Sequence, residues 1–327
     1  MKYIIKNIRV TMTNQSRTMS NCLSGIFLTG LFLFSVSCSQ TGQPRTELEA
    51  SPALNQATFT SAEEADNTFE LALKNNDIKL LQEILGANYQ EVLPVDTVSN
   101  EGVQKYIAAW EKEHVLLADG DKKRLIAVGV EQWVMPIPIV LGESGWYFDI
   151  QEGLERMRIR RIGRNELSAI QAVLAYYDAQ KEYAELDRNN DGVLEYAQKF
   201  ISTSGAHDGL YWESNSENTL SPLGSLFAER TPGNGYHGYY YKILTAQGED
   251  AKGGAYSYLQ GNNMKLGFAL LAWPEEYGES GVISFLVSHE GVVYEQDLGK
   301  ESASVAENIS TFNPSSNWKL VDEVDNP

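Results

Sequence analysis

Residues 160–200, RRIGRNELSAIQAVLAYYDAQKEYAELDRNNDGVLEYAQKF, decide how the rest of the chain is read. Apolar residues recur at helical spacing at Leu167, Ile170, Leu174, Tyr177 and Ala184, which makes a stripe wide enough to pack on a sheet. Asn165 is placed to cap this helix, with Glu166 at the positive end of its dipole. No Gly or Pro interrupts 166–186, so the predicted rod is roughly 30 Å long. The stripe itself reads as core.

The helix runs into Asp187-Arg188-Asn189-Asn190-Asp191-Gly192-Val193-Leu194-Glu195. Oxygen side chains at positions 1, 3, 5 and 9 (Asp187, Asn189, Asp191, Glu195), Gly192 at position 6 and the Val193 carbonyl at position 7 follow a calcium-loop pattern. A hard cation needs several oxygens converging on one point, and the glycine permits the turn that converges them. Position 12 is Gln198, so the bidentate acid of an EF-hand is missing and the expectation is a weaker calcium site. The plainer reading is an Asn/Asp/Gly-rich turn that stops the helix without an ion.

Upstream, Ser61-Ala62-Glu63-Glu64 is a capping box before a helix carrying Ala65, Phe69, Ala72 and Leu73 on one face. Asp77 opens a second helix that ends at Gly86, and a third follows Asn100. The period then changes to strand-like runs over 114–118, 124–130, 134–141 and 146–150, with a hairpin at 142–145. Downstream of the loop, strands are expected at 238–245, 265–273, 281–288 and 291–297, the last two joined around His289-Glu290-Gly291. Ser284 and Ser288 alternate with Phe285 and Val287, which predicts a sheet buried on one face only.

The predicted fold is therefore α+β in two units. Helices plus an antiparallel sheet occupy 58–160, and a long helix packed on an antiparallel meander occupies 161–321. The first pattern resembles the cone-shaped fold of nuclear transport factor 2 and the polyketide cyclases. The second resembles the globular part of pilins and pseudopilins, although no membrane-spanning helix half or prepilin cleavage motif accompanies it. Five arginines at 156–164 are expected to form a solvated link between the units. The last residues, 322–327, read as an acidic tail.

Residues 1–37 carry Lys2, Lys6, Arg9 and Arg17 with no acid, then the apolar run LSGIFLTGLFLF at 23–34, as in a secretory signal. Ser35-Val36-Ser37-Cys38 resembles a bacterial lipobox, in which the cysteine becomes the lipidated N-terminus. Of two cysteines in the chain, Cys22 leaves with the signal, so Cys38 has no internal disulfide partner. Residues 38–57 are polar and read as a tether. The expected address is an exported, outer-membrane or periplasmic lipoprotein, in contact with the membrane through its anchor only. A formal net charge of −18 argues against nucleic acid as a partner. An envelope protein or glycan is the expected partner.

The sequence contains no Gly-x-Ser-x-Gly, His-Glu-x-x-His or phosphate loop. Tyr211, Trp212, Tyr236, His237 and Tyr239 form two aromatic clusters around glycines, readable as a ligand-binding floor or as close packing. A hydrolase with His207 as base is the enzymatic alternative, and His114 with Asp149 is a second candidate acid/base pair. Over the whole mature chain, RIGRNE (161–166), DGLYW (208–212), YHGYY (236–240), LTAQG (244–248), AWP (272–274) and YGESGV (277–282) resemble the bacterial family called domain of unknown function 2950. That resemblance implies an envelope or secreted protein and supplies no catalytic residues. The combined expectation is a non-enzymatic binding or assembly component.

Overall fold

The computed structural model describes residues 52–53, 55–93, 100–213, 220–224 and 235–321. The leader, Cys38 and the acidic tail lie outside the described residues.

Helix α1 (Ala62–Lys74) opens at Ser61, whose side chain accepts from Glu64 N–H. The return half of the capping box is shifted by one residue: the Glu64 carboxylate accepts from the backbone N–H and hydroxyl of Thr60. Helix α2 (Ile78–Leu85) is capped by Asp77 and stops at Gly86, whose φ of 82° suits a residue without Cβ. A short α3 (Tyr89–Val92) follows, then α4 (Asn100–Lys112).

The first sheet contains β1 (His114–Ala118), β2 (Lys123–Val128), β3 (Trp133–Val134), β4 (Ile139–Gly142) and β5 (Gly145–Phe148), all antiparallel in the order β1-β2-β4-β5, with β3 also on β2. The single strand expected at 134–141 is two. Pro136 and Pro138 have no N–H to give to a ladder, so pairing stops at Val134 and resumes at Ile139. The 142–145 hairpin closes as predicted, with Gly142 opposite Gly145.

The long helix starts well before Asn165. α5 (Ile150–Tyr183) has 34 residues, about 50 Å of rod, and Asp149 caps it by accepting from Glu152 N–H. Ile150, expected at the end of a strand, is its first residue. The stretch expected to form a solvated link is helical, and most of its arginines find partners around the rod. Arg156 pairs with Glu152 and Asp119, Arg158 with Glu155, and Arg161 with Glu279, while Arg160 donates to the Val134 carbonyl. Gly153, a helix-weakening residue in sequence, lies against Ile137, where a Cβ would come within 3.0 Å of that side chain. Asn165 is therefore mid-helix. Its amide donates to the Ser280 carbonyl, and Glu166 Oε1 accepts from the N–H groups of Val282 and Ile283.

After α5 come β6 (Tyr239–Leu244) and two small ribbons, β7 (Ala246–Gln247) with β8 (Tyr256–Ser257) and β9 (Leu259–Gln260) with β10 (Asn263–Met264). β11 (Ala269–Pro274), β12 (Ile283–Ser288), β13 (Val293–Asp297), helix α6 (Ser302–Asn308) and β14 (Lys319–Leu320) complete the described chain. The second sheet is antiparallel in the order β14-β13-β12-β11-β6. Its two faces are both covered, contrary to the one-sided pattern read in β12. Ser284 and Ser288 are as buried as Phe285 and Val287. α5 packs on β11, β12 and β13, and α6, unforeseen in the sequence, packs on β11. Lys242 on β6 holds the end of α6 by donating to the carbonyls of Glu307 and Ile309.

The fold is thus α+β, with helices and antiparallel sheets. Two apolar cores form along α5. One gathers Phe69, Ile84, Ile126 and Phe148, and the other Tyr176, Phe268, Leu271 and Phe285.

Candidate functional site

At the C-terminal end of α5 the chain turns through residues 187–195 and then folds into a pinned loop. Backbone bonds from Leu210 N–H to Lys199, Tyr211 N–H to Phe200 and Ser202 N–H to Tyr211 join the two sides of that loop. Gly209 fits where no other residue would, since a Cβ there would lie 2.7 Å from Ser202 N. Asp208 locks the interior: Oδ1 accepts from Thr203 N–H, and Oδ2 accepts from the Thr203 hydroxyl and the Lys199 ammonium. Desolvation works against its charge, but the Lys199 and Thr203 bonds win and bring the carboxyl down to about 2.

Tyr183, the last residue of α5, donates its hydroxyl to the His207 carbonyl at 2.8 Å. The His207 ring stacks on Trp212, with centroids 4.4 Å apart and planes 30° apart. Arg188 spans the other aromatic surfaces, its guanidinium 5.5 Å from the Trp212 ring and 5.9 Å from Tyr183. It also donates to the Tyr183 and Glu182 carbonyls, where the helix dipole is negative. Tyr183 and Arg188 thus brace His207 and Trp212 from behind, and those two rings help wall a cavity of about 700 Å³ also lined by Ser202, Thr203, Tyr211 and Glu213, among others. That size suits a small ligand.

The sequence-predicted aromatic set is split by the fold. Tyr211 and Trp212 belong to this cavity, with Trp212 mostly buried and Tyr211 half-exposed. Tyr236 and His237 sit instead in the turn before β6, and Tyr239 is the first residue of that strand. His237 and Gly238, with φ of 52° and 75°, are the central pair of a two-residue turn closed by both bonds between Tyr236 and Tyr239. Tyr239 is wholly buried and donates to the Ile283 carbonyl, so it is a core residue with no surface for a ligand.

Among the described residues, His207 has no carboxylate partner at its ring, because Asp208 faces Lys199 and Thr203. The other acid/base candidate is also separated: His114 stacks on Trp110 at 3.7 Å, and Asp149 caps α5. Sequence reasoning missed Arg188, Lys199 and Glu213. The only available signal was Arg188 inside an otherwise acidic loop.

In the 187–195 loop the carboxylates are engaged by the protein itself. Asp187 accepts from the N–H groups of Asp191 and Gly192, and Asp191 Oδ1 accepts from Val193 N–H. The Asn189 amide donates to both Asp191 and Glu195, and Asn263 donates to Asp191. Burial first, and Asp191 second, push the Glu195 carboxyl up; the Asn263 bond pulls Asp191 down. Asn190 and Gly192 both have positive φ, as a tight wrap requires. Among the described residues, no group of three or more His, Cys, Asp or Glu side chains is arranged to hold a metal ion.

Four of the stretches singled out in the sequence meet elsewhere, at the edge between α5 and the second sheet. Besides the Asn165 and Glu166 bonds, Arg158 donates to the Gly278 carbonyl and Arg161 to the Glu279 carbonyl. Gly238 lies against Asn165, Gly281 packs on the Tyr239 ring, and Trp273 sits opposite Tyr240. This convergence is architectural, tying residues 158–166 to 236–240 and 277–283.

Among the described residues, no helix is long and apolar enough to cross a membrane. No curated protein and no solved structure matches the chain. A family match covers residues 56–321, most of the chain, and on that match the chain belongs to the family described as "Protein of unknown function (DUF2950)".

Proposed function

We propose that the chain is a binding component of the bacterial cell envelope, that its binding site is the His207–Trp212 cavity, and that its ligand is an envelope glycan. The cavity carries this reading. It combines an accessible aromatic, Tyr211, with hydroxyls and backbone groups on a loop held rigid by the Asp208 lock. A sugar offers an apolar ring face for the aromatic and hydroxyls for the polar rim. Binding is favoured over hydrolysis because His207 stacks on Trp212 and the adjacent acid, Asp208, is committed to Lys199 instead of orienting the imidazole. Export through the 1–37 leader and anchoring at Cys38 complete the proposal, as does calcium bound weakly at 187–195.

The test is calorimetric titration of the purified protein with soluble peptidoglycan fragments, followed by mass analysis of the recovered fragments. Saturable binding is expected, weakened at least about ten-fold by Tyr211→Ala, with the fragments recovered intact. Absence of binding sinks the glycan assignment, and cleavage of the fragments would move the cavity to the hydrolase reading.

A further inference from the structure

A second cavity, of about 270 Å³, opens in the first half of the chain, far in sequence from the aromatic one. Its walls come from α1, α4, the β3 region and α5: Phe69, Leu73, Val103, Met135, Met157 and Trp133. The surface is almost entirely carbon. Among the lining residues, the Tyr106 hydroxyl is turned toward Met135 Sδ at 3.7 Å rather than into open space. Two methionines let the walls adapt to an unbranched guest. Trp133 stands at the mouth half-exposed, unusual for a side chain of that size.

The rim has a definite charge. Arg160 lies one turn beyond Met157 on α5, and Arg164 one turn further on the same face. The Arg160 guanidinium sits 5.8 Å from the Trp133 ring. Burial, then the charges of Arg156 and Arg164, disfavour its protonated form, so the neighbouring guanidiniums repel one another. Arg156 is neutralised by Glu152 and Asp119, whereas Arg164 is exposed and has no ion pair among the described residues. In a chain of net charge −18 this is a local excess of positive charge. Among the described residues the interior offers no counter-charge: the lining there is apolar, and the nearest acid pair, Glu70 with Lys74, is matched within itself. An anionic head is therefore attracted to the rim, while an alkyl tail is accepted inside.

We propose that this cleft binds a free fatty acid, its alkyl chain among Phe69, Leu73, Val103, Met135 and Met157 and its carboxylate at the Arg160–Arg164 rim. At about 30 Å³ for a unit the size of a water molecule, the cavity takes about nine chain carbons.

Titrating the purified full-length protein with octanoate, decanoate, dodecanoate and tetradecanoate, each below its micelle concentration, tests the assignment. Affinity should rise about three- to four-fold per methylene to about ten carbons and then level off. Decyltrimethylammonium, with the same tail and opposite charge, should bind at least about ten-fold more weakly than decanoate. Val103→Trp, which fills the cleft from a half-exposed position, should abolish decanoate binding without lowering the melting temperature. Should that variant fail to fold, the surface variant R160Q/R164Q carries the test: it should weaken decanoate at least about ten-fold and leave decanol unchanged. Equal binding of the cationic and anionic amphiphiles, affinity that keeps rising with chain length, or decanoate affinity unchanged in a folded variant overturns the proposal. So does the absence of saturable binding.

Discussion

Asn189 is the residue on which the reading of the acidic loop turns. Its amide donates to Asp191 and Glu195, so it supplies the positive pole that three nearby carboxylates need when no cation is present. Calcium would have to displace that amide and recruit its oxygen instead, which fits an affinity no better than the 0.1–1 mM range of extracellular modules. With calcium at about five times such a dissociation constant, linkage adds about 1 kcal/mol, or about 2–4 °C in melting temperature. The expected result is that shift in the parent, its loss in Asp187→Ala plus Asp191→Ala, and a larger shift in Asn189→Asp, which exchanges the donor for a further carboxylate. Parent protein that melts identically in calcium and chelator identifies the loop as a turn. Position spacing made the candidate oxygens legible in sequence. The direction in which each carboxylate points was not, because Asn263 reaches Asp191 across 72 positions.

Helix α5 is the element that holds the two cores in one frame, and Glu166 is its firmest attachment to the second sheet. One carboxylate oxygen accepts from two consecutive N–H groups at the start of β12, at 3.0 and 3.1 Å. Removing it leaves two partly buried donors without that partner, each costing about 1–3 kcal/mol. Glu166→Ala should therefore destabilise the protein by about 2–3 kcal/mol and lower its melting temperature by about 5–10 °C. Glu166→Gln, which keeps an acceptor oxygen, should cost less than about 1 kcal/mol. Comparable losses in both variants would show that the carboxylate charge, not the pair of hydrogen bonds, holds the helix. The sequence places this residue at a helix start because Asn165 has cap chemistry and the apolar stripe reads from Leu167, yet Leu167 and Leu174 are exposed and the buried face runs through Ala169, Val173, Tyr176 and Tyr183. Within 150–164, Ile150, Leu154 and Met157 pack on the first core at spacings of four and three, a short stripe that Gly153 and the interleaved arginines obscure in sequence.

On the scale of the whole molecule, two cavities of different character lie on either side of one helix: a polar, aromatic one beyond its C-terminal end and an apolar one against its N-terminal half. Both would serve an envelope protein, and the proposed anchor at Cys38 is open to direct measurement. Intact mass of protein extracted from membranes should exceed that of the 38–327 polypeptide by the mass of a lipid; an unmodified Cys38 on soluble protein would falsify the anchor. By itself the sequence determined what depends on neighbours in the chain: the Ser61 and Asp77 caps, the 142–145 hairpin, most strands of both sheets and the α+β class. Those signals are local, because a cap needs three residues and a strand face needs a period of two. Only the tertiary structure decided which aromatics meet. Tyr211 and Tyr239 look alike in sequence, both beside glycine and other aromatics, yet one lines a cavity and the other is sealed beneath β12. Likewise Ser284 and Ser288 read as a solvent face until α6, whose short sequence has little helical signature, packs on the same sheet. Burial is a property of what comes to lie opposite a residue, and that partner lies beyond the reach of any local pattern: Ile283 is 44 positions from Tyr239.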